Sequence, residues 1–409
     1  MRSARRILVA VVLMAMGVSA YGYAATQPGG PSKIRIGVVH SLTGPLSPGV
    51  PEASRYQFKI WLDGLNRKGG LYLKKFGRRV PIEFIEYDDR SQQETLIRNL
   101  ERLILQDKVD LILPPYGTAM HIAAAPLFNK YGYPLLGVHA SAVELYKRRH
   151  EFPYAFWFHA QPDVHAKAVT DMLVHFRQRG VIGPRIVATY IADQHGYEFW
   201  PAYEAALKRA EFQILYVKSY PLQVSDVSSL IREMKALNPD VYISISYPSD
   251  FSLLLEQAIA QQFNPKIYYG TVGIAFGDLP RRYGARTIEG VMGAGGCNPQ
   301  IPGAKEYYDL YRKVVGRPIE CWGGAYMPAA LQVLEQAVEE VGEIDRKKIR
   351  DVIATRTFRT IMGPIRFREQ MNTYWPSMIG QWQRGQFLGV WGLEGQIRPM
   401  VVPKPAWRR

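Results

Sequence analysis

The chain has 409 residues, 47% of them hydrophobic, and a formal net charge of +15. That length exceeds what one core of ordinary size fills, so it points to two or three globular domains and excludes a disordered chain. The basic residues are dispersed rather than gathered into a stripe, so no nucleic-acid partner is expected, and the charge implies a solvated, positive surface that attracts anions.

Residues 1–24 are expected to be a cleaved signal peptide. Arg2, Arg5 and Arg6 precede the apolar run Ile7 to Val18, and small residues follow up to Ala24. The run is about 12 residues, short of the roughly 20 that cross a bilayer. Cleavage is expected after Ala24, with Ala20 as second choice and an uncleaved anchor as the alternative. Without these residues and their three arginines the charge is +12. Export would carry Cys297 and Cys321 into an oxidising compartment, where two outcomes stay open: a disulfide closing a loop of about 25 residues, or two buried free thiols.

From Lys33 onward, short β-rich runs alternate with amphipathic segments. Strands are expected at Ile34 to Val39, Ile82 to Tyr87, Leu111 to Pro114 and Leu135 to Val138, then at Ile186 to Ile191, Gln213 to Ser219, Val241 to Ser246 and Ile267 to Tyr269. Ser91 with Glu94 forms a capping-box pattern ahead of Leu96, Leu100, Leu103 and Ile104, which share one helical face. Asp88 and Asp89, just before it, are expected to cap that helix. Ser225 or Asp226 caps a second helix, a third runs from Phe251 to about Gln261, and a fourth from Ala325 to Val341. Alternating β and α elements, occurring twice, imply an α/β chain of two doubly wound parallel-sheet lobes with Phe156 to Val164 as a crossover.

Ligands of open parallel sheets bind in the loops beyond the carboxyl ends of the strands. Those loops are His40 to Val50, Tyr116 to Ala119, His139 to Ser141, Asp193 to Tyr197, Tyr247 to Asp250 and Thr271 to Ala275. They are rich in Ser, Thr, Gly, Tyr and His, which suits a small polar or aromatic ligand. In the first of them the Ser41, Thr43 and Ser47 hydroxyls are expected to approach the ligand. Its glycines do not match the dinucleotide pattern G-x-G-x-x-G. No nucleophile elbow or H-E-x-x-H motif occurs, and His159 with His165 lacks zinc-site companions, so no enzyme, cofactor or metal site is expected.

The stretches IRIGVV, SLTGPLS, LNRKGG and VPIEFIEYDDRSQ, then AAAPLFNKYGYPLLG, RIVATYIADQHGYEF, LNPDVYISISYPSD, RTIEGVMGA and GPIRFREQ, resemble in the same order the type I periplasmic solute-binding proteins of the leucine/isoleucine/valine-binding branch. The resemblance implies two lobes joined by three crossovers near Trp157, Ile288 and Arg359. Lobe 1 would comprise residues 33–157 with 288–358, and lobe 2 residues 158–287 with 359–409. It places the carboxylate-binding hydroxyls of the family on Thr118 and Ser141, beside Tyr116 and His139, and matches its lobe-two tyrosines to His195 and Tyr247. Tyr197 and Thr271 complete the expected ligand-binding set, with Tyr116, Tyr197 and Tyr247 offering flat surfaces for an aromatic ring.

The resemblance further implies a monomeric periplasmic receptor that passes a small molecule to an ABC permease of the branched-chain amino acid type. The alternative is a periplasmic ligand sensor for a membrane signalling receptor. Amino-acid-binding members carry an acid after the last lobe-two strand before the crossover. Here that segment reads Gly270 to Phe276, and its first acid, Asp278, is expected to lie out of reach. A small carboxylate or amide, aromatic or not, is therefore expected in place of a branched-chain amino acid, unless Asp193 or Asp250 supplies the charge from a neighbouring loop.

Overall fold

The computed structural model describes residues 29–407. The expected signal peptide lies outside the described residues. All eight expected strands form. In the first lobe Ile34–His40 lies between Ile82–Asp88 and Leu111–Ile112, parallel to both. Leu135–Gly137 pairs in parallel with Ala155–Trp157 in a second sheet of that lobe. In the second lobe Gln213–Tyr220, Arg185–Ile191, Val241–Ile245, Ile267–Gly270 and Met292–Ala294 line up in parallel in that order. Short apolar runs with their residues buried on both faces are what such strands require, and Val241–Ile245 is buried throughout.

The last third of the chain adds antiparallel strands. Ile379–Gln383, Gln386–Gly392 and Gly395–Gln396 extend the second-lobe sheet beyond Met292–Ala294. Thr357–Thr360, Gly363–Arg368 and Met371–Asn372 complete the first-lobe sheet, where Met371 pairs with Trp157.

Sheet membership moves two of the expected lobe boundaries. The chain is still in the second sheet at Ala294, so it leaves after that residue rather than at Ile288. Beyond Arg359 it still pairs in the first-lobe sheet that holds Trp157, as far as Asn372. Arg359 is itself paired, with Pro364, whereas Ile288 lies in the turn that precedes Met292–Ala294.

The helices bury the expected faces. Leu96, Leu100, Leu103 and Ile104 are buried on Gln93–Leu105, and Leu230, Ile231 and Met234 on Ser228–Ala236. Asp226 caps the latter, accepting the Ser228 amide at 2.8 Å. Ser91 does not cap the former. Its hydroxyl donates to the Thr43 carbonyl at 2.8 Å and accepts the Leu46 amide at 3.1 Å, tying down the loop after the first strand. Asp88 holds the same loop, accepting the Thr43 hydroxyl at 2.7 Å and the Leu42 amide at 3.0 Å. Thr43 is thus spent on loop structure rather than on the cleft.

Candidate ligand-binding cleft

The loops after the parallel strands converge on a narrow cavity between the lobes. Tyr116, Gly117, Thr118, His139 and Ser141 line it from the first lobe, and His195, Phe199, Tyr247, Val272 and Phe276 from the second. Ala53, His159, Glu320, Trp322 and Gly323 complete the wall. No lysine or arginine is among the lining residues.

Backbone chemistry explains several of these positions. Gly117 sits at φ +94°, a conformation that side-chain-bearing residues rarely adopt, and turns the chain into the helix Thr118–Tyr131. Gly49 clears room for Tyr116, whose hydroxyl oxygen would lie 2.2 Å from a Cβ there. Ala53 belongs to a single π-turn, Pro51–Arg55, a local deformation common at functional sites. Its carbonyl accepts the His139 Nε2 proton at 3.1 Å.

Four helices start at the cavity: Thr118–Tyr131, Gln194–Arg209, Pro248–Ala260 and Gly323–Val341. Each contributes lining residues from its cap or first turn. The unpaired amides and positive dipole ends of helix N-termini favour an anion.

The hydrogen-bond pattern divides the expected site residues. The Thr118 and Ser141 hydroxyls have no protein partner among the described residues and lie on the cavity wall. Thr271 accepts the Ser246 amide at 3.2 Å and shares a hydrogen bond of 3.2 Å with His195 Nε2. Thr271 thus positions His195 from behind the wall rather than lining it. Tyr247 donates its hydroxyl to Asp193 Oδ2 at 3.0 Å and keeps its ring on the cavity. Tyr197 does not reach the site. It is 56% exposed, because residues two apart on a helix do not share a face, and His195 takes the inward one.

Burial keeps the site's imidazoles neutral. It holds His139 and His195 down to about 3, His121 and His165 to about 4, and His159 well below its ordinary value. Neutral rings tilted against aromatics make an uncharged wall: His195 lies 4.5 Å from Phe199 and His159 4.7 Å from Trp322 between ring centroids.

The cavity does contain an acid. Glu320 is buried on its wall, where desolvation raises its carboxyl to about 7 against the pull of the Trp322 and Gly324 amides that it accepts. The segment Gly270 to Phe276 brings only Val272 and Phe276 to the lining, as its composition requires. Asp278 lies outside, in a separate surface pocket with Glu52 and Arg317. Asp193 and Asp250 are occupied, the first by Tyr247 and the second by the Tyr220 hydroxyl and the Tyr247 amide. Next to Glu320, Cys321 is bonded to Cys297 with Cα atoms 4.9 Å apart. That bridge joins the segment leaving the second sheet to the segment entering the helix Gly323–Val341. No cluster of three side chains able to hold a metal occurs among the described residues, and none of their helices is long and apolar enough to cross a membrane.

Two parallel-sheet lobes closing on a cavity at their strand ends define a ligand-binding protein of the type I periplasmic fold. The family model for periplasmic binding proteins matches residues 33–386, and the chain belongs to that family. Among its relatives, Leu/Ile/Val-binding protein homolog 7 of Brucella abortus is 24% identical over 96% of this chain and 99% of its own. Homolog 8 of Brucella suis is 25% identical over 77% of each. Among solved structures, the branched-chain amino acid transporter substrate binding protein LivJ of Streptococcus pneumoniae, in complex with isoleucine, is similar with a TM-score of 0.73 at 17% identity, over 88% of this chain and 100% of its own. A solute binding protein from R. palustris in complex with benzoate is similar with a TM-score of 0.73 at 14% identity, over 91% and 99%. Another from Rhodopseudomonas palustris BisB5, in complex with 3,4-dihydroxy benzoic acid, has a TM-score of 0.72 at 16% identity, over 92% and 99%. At these identities the structural likenesses show the fold.

Proposed function

We propose that the chain is an exported, monomeric receptor that closes on a small organic acid and delivers it to an ABC permease of the branched-chain amino acid type. The observation that carries this reading is the pairing of two free hydroxyls, Thr118 and Ser141, with four helix N-termini around an otherwise aromatic cavity. Hydroxyls and helix ends suit a carboxylate, and the rings of Tyr116, Tyr247, Phe199 and Trp322 suit an apolar or aromatic body. The uncharged imidazoles leave the ligand as the main source of charge. The names of the relatives, and the isoleucine and benzoate in the structural neighbours, belong to the same range of ligands.

A second reading, an amino acid, is supported by Glu320, an acid on the wall that could face an ammonium group. Calorimetry of the mature protein against leucine, isoleucine, benzoate and 3,4-dihydroxybenzoate separates the two. Micromolar binding of an acid from either class, with a more compact scattering profile on saturation, is the expected result. Failure to bind any of them, or binding with an unchanged profile, would count against a closing acid receptor.

A further inference from the structure

The polar groups that open onto the cavity are nearly all donors. Thr118, Ser141 and the helix ends bring donors to one surface. Glu320 is the one carboxylate among the lining residues. It is built into the wall, with Oε1 accepting the Trp322 amide at 2.8 Å and Oε2 accepting the Gly324 amide. A carboxylate has about four acceptor positions, so lone pairs remain, and among the described residues no side-chain donor takes them. Gly323 keeps this corner open, since a Cβ there would stand 2.9 Å from His139 Cδ2 and 3.7 Å from Glu320 Oε2.

We propose that Glu320 is a specificity-determining residue that accepts a hydrogen bond from a second polar group on the ligand, so that the ligand is a carboxylic acid bearing a hydroxyl or ammonium donor. This rests on the acid-receptor reading above and narrows it. The cavity has hydroxyls and helix ends for one carboxylate and, in Glu320, a single carboxylate of its own for a donor group. An acid with no other polar group would be enclosed with a second carboxyl and with no cation or donor between them, which burial makes unfavourable. An acid carrying a donor satisfies both surfaces at once. Burial raises the Glu320 carboxyl to about 7, and an arriving donor favours its ionised form.

Two matched pairs test this in the intact mature protein by calorimetry: benzoate against 3,4-dihydroxybenzoate, and 4-methylpentanoate against leucine. The donor-bearing member of at least one pair is expected to bind about tenfold tighter or more than its donor-free partner. Glu320→Gln is expected to bring that ratio below about threefold. The wild-type ratios decide the matter alone if the variant does not fold. Donor-free acids binding as tightly as their partners would overturn the proposal, and uptake of one proton with them would make Glu320 a donor to the ligand carboxylate instead. Binding by none of the four acids would remove the receptor reading itself, and this inference with it. The hydroxyl and ammonium arms are told apart by which pair discriminates.

Discussion

The backbone amide of Val143, in the first lobe, donates to Glu198 Oε1, in the second, at 3.1 Å. The residue before it, Ala142, sits at φ +49°, a left-handed conformation uncommon for alanine. Because it bridges the two lobes, separating them would break it, and it favours the arrangement that encloses the cavity. Glu198→Ala is expected to weaken ligand binding about fivefold, the equivalent of one hydrogen bond of about 1 kcal/mol. Titration calorimetry measures it, and an unchanged affinity would show the tie to be energetically idle.

Thr118→Ala and Ser141→Ala should each weaken binding of a carboxylate ligand about tenfold, because each removes a donor from an enclosed anion site. Tyr197→Ala should leave affinity unchanged, since that ring faces solvent. A loss on Tyr197→Ala equal to that on Thr118→Ala would contradict the cavity assignment.

Stability should fall on acidification below neutrality. The imidazoles of His121, His139, His159, His165 and His195 are depressed by burial, so the stability they maintain above the ordinary value of 6.5 is lost as pH falls toward their folded values, about 3 to 4 where resolved. Glu320 works in the opposite sense. Raised from 4.5 to about 7, it contributes stability that is full below 4.5 and lost as pH rises through 7. It therefore offsets part of the acid loss, and Glu320→Gln should steepen the decline in melting temperature between pH 7 and 4.5. A variant with the wild-type slope would refute a raised Glu320.

Replacing both Cys297 and Cys321 by serine should cost about 3 kcal/mol of stability in the chain-entropy treatment of a loop this size. It should also weaken ligand binding, because Cys321 lies between Glu320 and Trp322, both on the cavity wall. Thermal melts with and without ligand distinguish these effects. A smaller ligand-induced shift in the double variant is the expected sign of the second.

The parallel core was legible because each of its strands is a short apolar run between turn residues, as in Ile34–His40 and Val241–Ile245. The antiparallel additions were not. Gly363–Arg368 opens with Gly-Pro, which argues against a paired strand, although Ile365 and Phe367 alternate with exposed arginines. Ile379–Gln383 carries Gln381 into the core, where its side chain bonds the Gly290 and Val401 carbonyls, a partnership invisible in one dimension. At the cleft, loops following strands led to Thr118, Ser141 and Tyr247. Glu320 and Trp322 were missed because they lie on a crossover segment, to which no strand-end rule points. Phe199 could have been found, being one helical turn from His195 on the same face.

The pairing of Met371 with Trp157 has a consequence for biogenesis. The two first-lobe sheets together draw on strands from Ile34 to Asn372, and the second-lobe sheet on strands from Arg185 to Gln396, so the lobes are threaded through each other. Neither half of the gene encodes a folding unit. The sheet around Ile34–His40 is complete by Ile112, but a ribosome must release almost the whole polypeptide before the Trp157 sheet and the second-lobe sheet can be completed, and pairing over such separations is slow. Synthesis is nearly finished before either lobe can be whole.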